Sequence, residues 1–185
     1  RDCQFEGNTN VNNQIIYAAD DNVLIEDCKI RNNTSTRNSF IYLSNSKINR
    51  CQITDNTVSS NVIESYNSKA KISNCLICDN TCPESYRTIY IYGGVSMINC
   101  TVARNVTKNA NVIYMYNSTL KNSIIVGNTT NSSYSNILAK EGSNTIQNNM
   151  FEGTFVDGNI DGSMTFAAFT DAENGDYSLS ANSYC

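Results

Sequence analysis

The chain is expected to be all β and to fold as a right-handed parallel β-helix, a single-stranded solenoid of about seven coils of 23–25 residues. Three observations predict this: a composition suited to pleated strands, a cysteine-marked repeat, and a second, alternating strand inside each repeat.

Composition comes first. The 185 residues can bury a continuous core, and they include one proline, no tryptophan, no histidine and only 16% charged residues. Tyrosine, asparagine, serine and threonine are plentiful, while the shortage of Ala, Leu, Glu and Lys argues against a helical bundle. The formal charge of −4, with no Lys/Arg cluster, offers no footprint for nucleic acid or an anionic membrane. No apolar run is long enough to insert into a bilayer, and Arg1 begins no signal peptide. The segment is therefore expected to be a fragment of a larger precursor.

The cysteines set the period. Cys3, Cys28, Cys51, Cys75 and Cys100 are 25, 23, 24 and 25 residues apart, and Ser123 continues the column after 23 more. Each carries an apolar residue three places before, another two places after, and an Asn five places after. The clear copies are Ile25/Cys28/Ile30/Asn33, Ile48/Cys51/Ile53/Asn56, Ile72/Cys75/Ile77/Asn80, Met97/Cys100/Val102/Asn105 and Leu120/Ser123/Ile125/Asn128. Cys3/Phe5/Asn8 is a partial earlier copy, and Ile146/Asn149/Phe151 a degraded later one.

That pattern alone also fits a leucine-rich repeat. The rest of the repeat decides against it. About thirteen residues after each cysteine comes a stretch of period-two alternation: Phe40-Ile41-Tyr42-Leu43, Val62-Ile63-Glu64-Ser65-Tyr66, Ile89-Tyr90-Ile91-Tyr92 and Val112-Ile113-Tyr114-Met115-Tyr116. A horseshoe would need helix or irregular structure there, whereas two or three strands per coil make a β-helix. Stacked coils align the inward columns Cys28/Cys51/Cys75/Cys100, Ile30/Ile53/Ile77/Val102/Ile125 and Ile41/Ile63/Ile89/Ile113/Ile137. Asn33, Asn56, Asn80, Asn105 and Asn128 form a ladder at one turn, where Asn tolerates a left-handed backbone; Asn45, Asn67, Gly93 and Asn117 mark another. Coils are expected over residues 1–155. Residues 156–185, the end of a glycine-bearing stretch (Gly153, Gly158, Gly162, Gly175), should form an irregular cap in which Phe155, Phe166, Phe169 and Tyr177 cover the last coil.

Segments such as Ile72-Ser73-Asn74-Cys75-Leu76-Ile77-Cys78-Asp79-Asn80-Thr81 resemble the parallel β-helix repeats of bacterial and protist surface proteins related to polymorphic outer-membrane proteins and pectate-lyase-like helices. The tail from Asn174 to Cys185 resembles the closing segment of such proteins, Gly-Asp-Tyr-x-Leu followed by Ser-Pro-Cys, with Tyr184 in the proline's place. The resemblance implies architecture and a secreted or cell-surface location, and no reaction.

The five column cysteines are expected to be buried, reduced thiols, since bridging stacked positions of parallel strands is awkward. Cys78 and Cys82 lie outside the column and are candidates for a mutual disulfide; a zinc site there lacks histidine and a second paired motif. No cofactor is implied.

Function should then lie on outward columns. One runs Tyr17, Tyr42, Glu64, Tyr90, Tyr114 and its neighbour Ser44, Tyr66, Tyr92, Tyr116, a tyrosine face suited to stacking on a glycan or to a host or cell-surface protein partner. Lateral packing among β-prone tyrosines is the plainer reading of the same residues. A second outward set contains Asp55, Asp79 and Arg104. One coil apart, the carboxylates approach the spacing of paired glycosidase acids or could share a calcium ion, and the Arg beside them also suits a polysaccharide lyase. Asp is equally expected beside a turn ladder. The leading expectation is a non-catalytic, adhesin-like or carbohydrate-binding scaffold; a carbohydrate-active enzyme is the alternative. Sequons at Asn32, Asn33, Asn105, Asn117, Asn128 and Asn131 matter only in a eukaryotic host.

Overall fold

The computed structural model describes residues 1–9, 12–84, 87–108, 111–130, 138–152 and 158–185. It is an all-β parallel solenoid of about six turns. Its described strands form four parallel sheets of eight, six, six and five strands, so a coil has up to four short strands rather than two or three. No helix among the described residues is long and apolar enough to cross a membrane.

Left-handed residues make the corners. One set, Asp27, Arg50, Asn74, Asn99 and Asn122, has φ of 50–57° and precedes the cysteine column. Another, Asn32, Asp55, Asp79, Arg104 and Gly127, has φ of 55–64° and precedes the asparagine ladder. The third comprises Asn45, Asn67, Gly93, Asn117 and Gly142. Asn, Asp and Gly carry this conformation at least cost, which is why they mark the turns. The left-handed residue at the ladder is thus the one before each ladder Asn.

The ladder Asn residues are buried hydrogen-bonding hubs. The Asn56 N–H and Nδ2 donate to Asn80 Oδ1 at 3.1 and 2.9 Å, and Asn80 does the same to Asn105 at 3.1 and 3.0 Å. Asn80 Nδ2 also donates to the Ile53 and Cys78 carbonyls at 2.8 and 3.0 Å. Every coil change therefore satisfies backbone groups that a turn would leave unpaired.

The cysteine column does similar work with weaker groups. Cys28 N–H donates to Cys51 Sγ at 3.4 Å, Cys100 N–H to Ser123 Oγ at 3.1 Å, and Ser123 N–H to Asn149 Oδ1 at 2.9 Å. Cys, Ser and Asn succeed one another as acceptors, so these thiols are more than small hydrophobes. Cys28, Cys51, Cys75 and Cys100 are buried and free; Cys3, expected to be buried with them, is exposed on the first coil.

Ile30, Ile53, Ile77, Val102 and Ile125 fill one inward column, and Ile41, Ile63, Ile89 and Ile113 another. Leu138, instead of Ile137, pairs with Ile113; Ile137 lies outside the described residues.

The C-terminal segment departs from the expected cap. Ile160–Asp161 still pairs with Met150–Phe151, extending the eight-stranded sheet past residue 155. Beyond it, a short helix, Met164–Ala167, and the antiparallel strands Phe169–Asp171 and Asp176–Leu179 lie along the outer side of that sheet as a strap. Phe169 and Tyr177 pack edge to face, at 5.2 Å between centroids, in a cluster with Cys78, Ala103, Val126 and Met150. The outward column there is Arg31, Thr54, Cys78, Ala103, Val126 in register. It turns from polar to apolar at Cys78, and burying that stripe draws the strap sideways. Phe155 and the Phe166 side chain lie outside the described residues.

Candidate functional site

Register places the predicted tyrosine face on one wall. Tyr17, Tyr42, Glu64, Tyr90 and Tyr114 pair in sequence across five strands, as do Ser44, Tyr66, Tyr92, Tyr116 and Glu141. The inward neighbours Ile63, Ile89, Ile91, Ile113 and Met115 are fully buried, which holds the phenols outward.

The rings stack on one another. Tyr92 and Tyr116 lie 4.5 Å apart between centroids at 9°, Tyr90 and Tyr114 5.1 Å at 3°, and Tyr17 and Tyr42 5.0 Å at 8°. Tyr66 links the columns, 5.7 Å from both Tyr42 and Tyr90 and 6.0 Å from Tyr92. The stacked pairs cover one ring face with the next and turn edges and hydroxyls to solvent, while Tyr66 meets its neighbours at tilts of 38 to 53°. Tyr17, at the end of the stack, remains 67% exposed.

Two charges organise the ladder. Glu64 accepts the Tyr66 hydroxyl at 2.6 Å and also the Ser39 hydroxyl. Burial first, and then the Glu64 carboxylate, push the Tyr66 phenol above its ordinary value, so it stays a donor. Arg87 lays its guanidinium over Tyr114 at 4.4 Å and over Tyr90 at 5.1 Å. Simple alternation counts Arg87 inward with Ile89 and Ile91. Two consecutive buried residues, Thr88 and Ile89, break the alternation within the strand Arg87–Tyr92, and Arg87 lies on the outward side with Tyr90. Ser39 and Arg87 were thus hidden from a period-two reading.

The second candidate set also converges. Asp55, Asp79 and Arg104 line a polar groove of about 420 Å³ whose floor is the eight-stranded sheet and whose wall is the strap residues Glu173, Asn174, Gly175 and Tyr177. Arg104 Nε donates to Asp79 Oδ1 at 2.8 Å, Tyr177 Oη donates to Asp79 Oδ2 at 2.5 Å, and Arg104 also pairs with Glu173. Asp79 thus ties the Arg104 guanidinium of the sheet to the Tyr177 hydroxyl of the strap.

Cys78 and Cys82 do not pair. Both are free and buried, Cys78 outward beneath the strap and Cys82 inward in the main core, on opposite sides of the wall. Among the sequons, Asn33 and Asn105 are buried in the ladder, Asn128 is half-buried, and Asn32 and Asn117 are exposed; Asn131 lies outside the described residues.

Fold and site together define a parallel β-solenoid bearing an outward ladder of stacked tyrosines. The sequence matches no known protein-family model, and comparison with curated proteins finds no significant relative.

Proposed function

We propose that this chain is a non-catalytic binding scaffold of a secreted or cell-surface protein, adhesin-like in role, which recognises carbohydrate through the hydroxyls and ring edges of Tyr42, Tyr66, Tyr90, Tyr92, Tyr114 and Tyr116 together with Glu64. The carrying observation is the stack itself: seven tyrosines from Tyr17 to Tyr116 hold one another in fixed positions, with ring centroids 4.5 to 6.2 Å apart. A surface ordered before binding loses little side-chain entropy when a ligand docks. Phenol tips beside a carboxylate offer donors and acceptors to a polyhydroxylated ligand, and exposed ring edges pack against its C–H groups. The resemblance of the repeats and closing segment to surface proteins of the polymorphic outer-membrane and pectate-lyase-like type supports the location. Engagement of Asp79 by the strap favours binding over catalysis.

A glycan array probed with the wild-type protein and with a Tyr92→Phe/Tyr116→Phe variant tests this. These substitutions keep every ring in the stack and remove only hydroxyls. Wild-type binding that the variant loses at unchanged melting temperature is expected. Absence of glycan binding by the wild type, or equal binding by the variant, would overturn the proposal.

A further inference from the structure

We propose that the cysteine column is a site for thiophilic univalent cations of the copper(I) class, each held in line between the sulfurs of successive coils. Register comes from both flanks: Ile48, Ile72 and Met97 pair across the coils before the column, and Gln52, Leu76 and Thr101 after it. Cys51, Cys75 and Cys100 therefore stack at the spacing of adjacent strands, about 4.8 Å. Two metal–sulfur bonds of ordinary length, about 2.3 Å each, laid end to end span nearly that distance. A linear sulfur–metal–sulfur unit fits between coils without moving the backbone.

All are free thiols, and the Cys51 and Cys100 sulfurs reach toward the preceding coil, 3.8 Å from the Ile25 and Ile72 carbonyl oxygens. Uptake of one cation by two thiols releases two protons and leaves a bis-thiolate complex of charge −1. Burying that anion requires donors to the sulfurs. The fold supplies one, because Cys28 N–H already points to Cys51 Sγ at 3.4 Å.

Ligand number sets the class of ion. No group of three or more His, Cys, Asp or Glu side chains among the described residues converges on a point, so zinc, which takes four ligands, is disfavoured. Soft ions content with two thiolates remain. Cys3, exposed at the head of the column, offers an entry thiol, and Ser123, a hard hydroxyl, closes the other end.

The test titrates the reduced protein anaerobically with copper(I), supplied as its acetonitrile complex, against a chromogenic copper(I) chelator. The folded protein should retain about one equivalent or more, with X-ray absorption reporting two sulfur neighbours. Cys75→Ser should lower affinity at least about tenfold, and Cys75→Asn serves if the serine variant fails to fold, because Ser and Asn both occupy this column naturally at 123 and 149. A Cys3→Ser/Cys185→Ser double variant should keep its equilibrium copper. No retention by the folded protein, retention unchanged by either Cys75 substitution, or retention lost with Cys3 and Cys185 would each overturn the proposal.

Discussion

Position 65 is a serine in an inward column whose members from Ala18 to Met115 are otherwise apolar, flanked in register by Leu43 and Ile91. Its hydroxyl is buried without a hydrogen-bond partner. A buried, unpaired hydroxyl costs about 1–3 kcal/mol, and Ser65→Ala removes it without adding volume. The variant should be more stable than wild type by about 1 kcal/mol, read as a higher urea midpoint at unchanged slope. A lower midpoint would mean that the hydroxyl has a partner. The tyrosines behave differently, since each ring has an aromatic neighbour within 6.2 Å, a pair worth about 0.5–1.5 kcal/mol beyond its buried area. Replacing Tyr90 or Tyr114 with Ser would weaken the wall as well as any binding, and for that reason hydroxyl-only substitutions are the informative ones.

Within a coil, the ladder turn is the element most sensitive to change. Asn80 bonds both neighbouring coils and two carbonyls, and all of these groups are buried. Asn80→Leu should cost on the order of 1–3 kcal/mol for each backbone group left unpaired, enough to shift the thermal midpoint by several degrees. Stability equal to wild type would contradict the ladder. The strands on either side need no such help, because their apolar residues recur at every coil and pack on copies of themselves. Their positions were readable from the repeat. The phase of the tyrosine strand was readable only from Ile89 onward, since alternation cannot reveal two adjacent buried residues such as Thr88 and Ile89.

Two consequences belong to the whole molecule. Burial pushes the Cys82 thiol from 9.0 up to about 12, and burial also raises Tyr66 above its ordinary 10.0. The unfolded chain releases these protons at lower pH than the folded one, so their contribution is complete below pH 9 and is lost progressively from there to about pH 12. The melting temperature should hold steady between pH 7 and 9 and fall above it, less steeply in Cys82→Ala; a flat profile up to pH 11 would refute the assignment. The strap provides the other prediction. In the folded protein only Cys3 and Cys185 should react with a thiol reagent, being the exposed thiols. Tyr177→Ala removes both the ring packed with Cys78 and the bond to Asp79, and should add Cys78 to the reactive set while the solenoid stays folded. Continued protection of Cys78 would show that the strap is held by its other contacts.

The sequence by itself determined the coil period, the inward columns, the asparagine ladder and the outward tyrosine columns. In a solenoid each of these rests on contacts between a residue and its own equivalent one repeat away, so periodicity contains the information. Tertiary structure alone decided what depends on contacts between unlike, distant segments. The strap brings the Tyr177 hydroxyl to Asp79 across 98 residues and fastens the segment to the sheet. Burial beneath the strap separates Cys78 from Cys82, four residues on but inside the wall. The tyrosine rings turned their faces to each other because neighbouring phenols on parallel strands bury more apolar surface by stacking than by lying open to solvent.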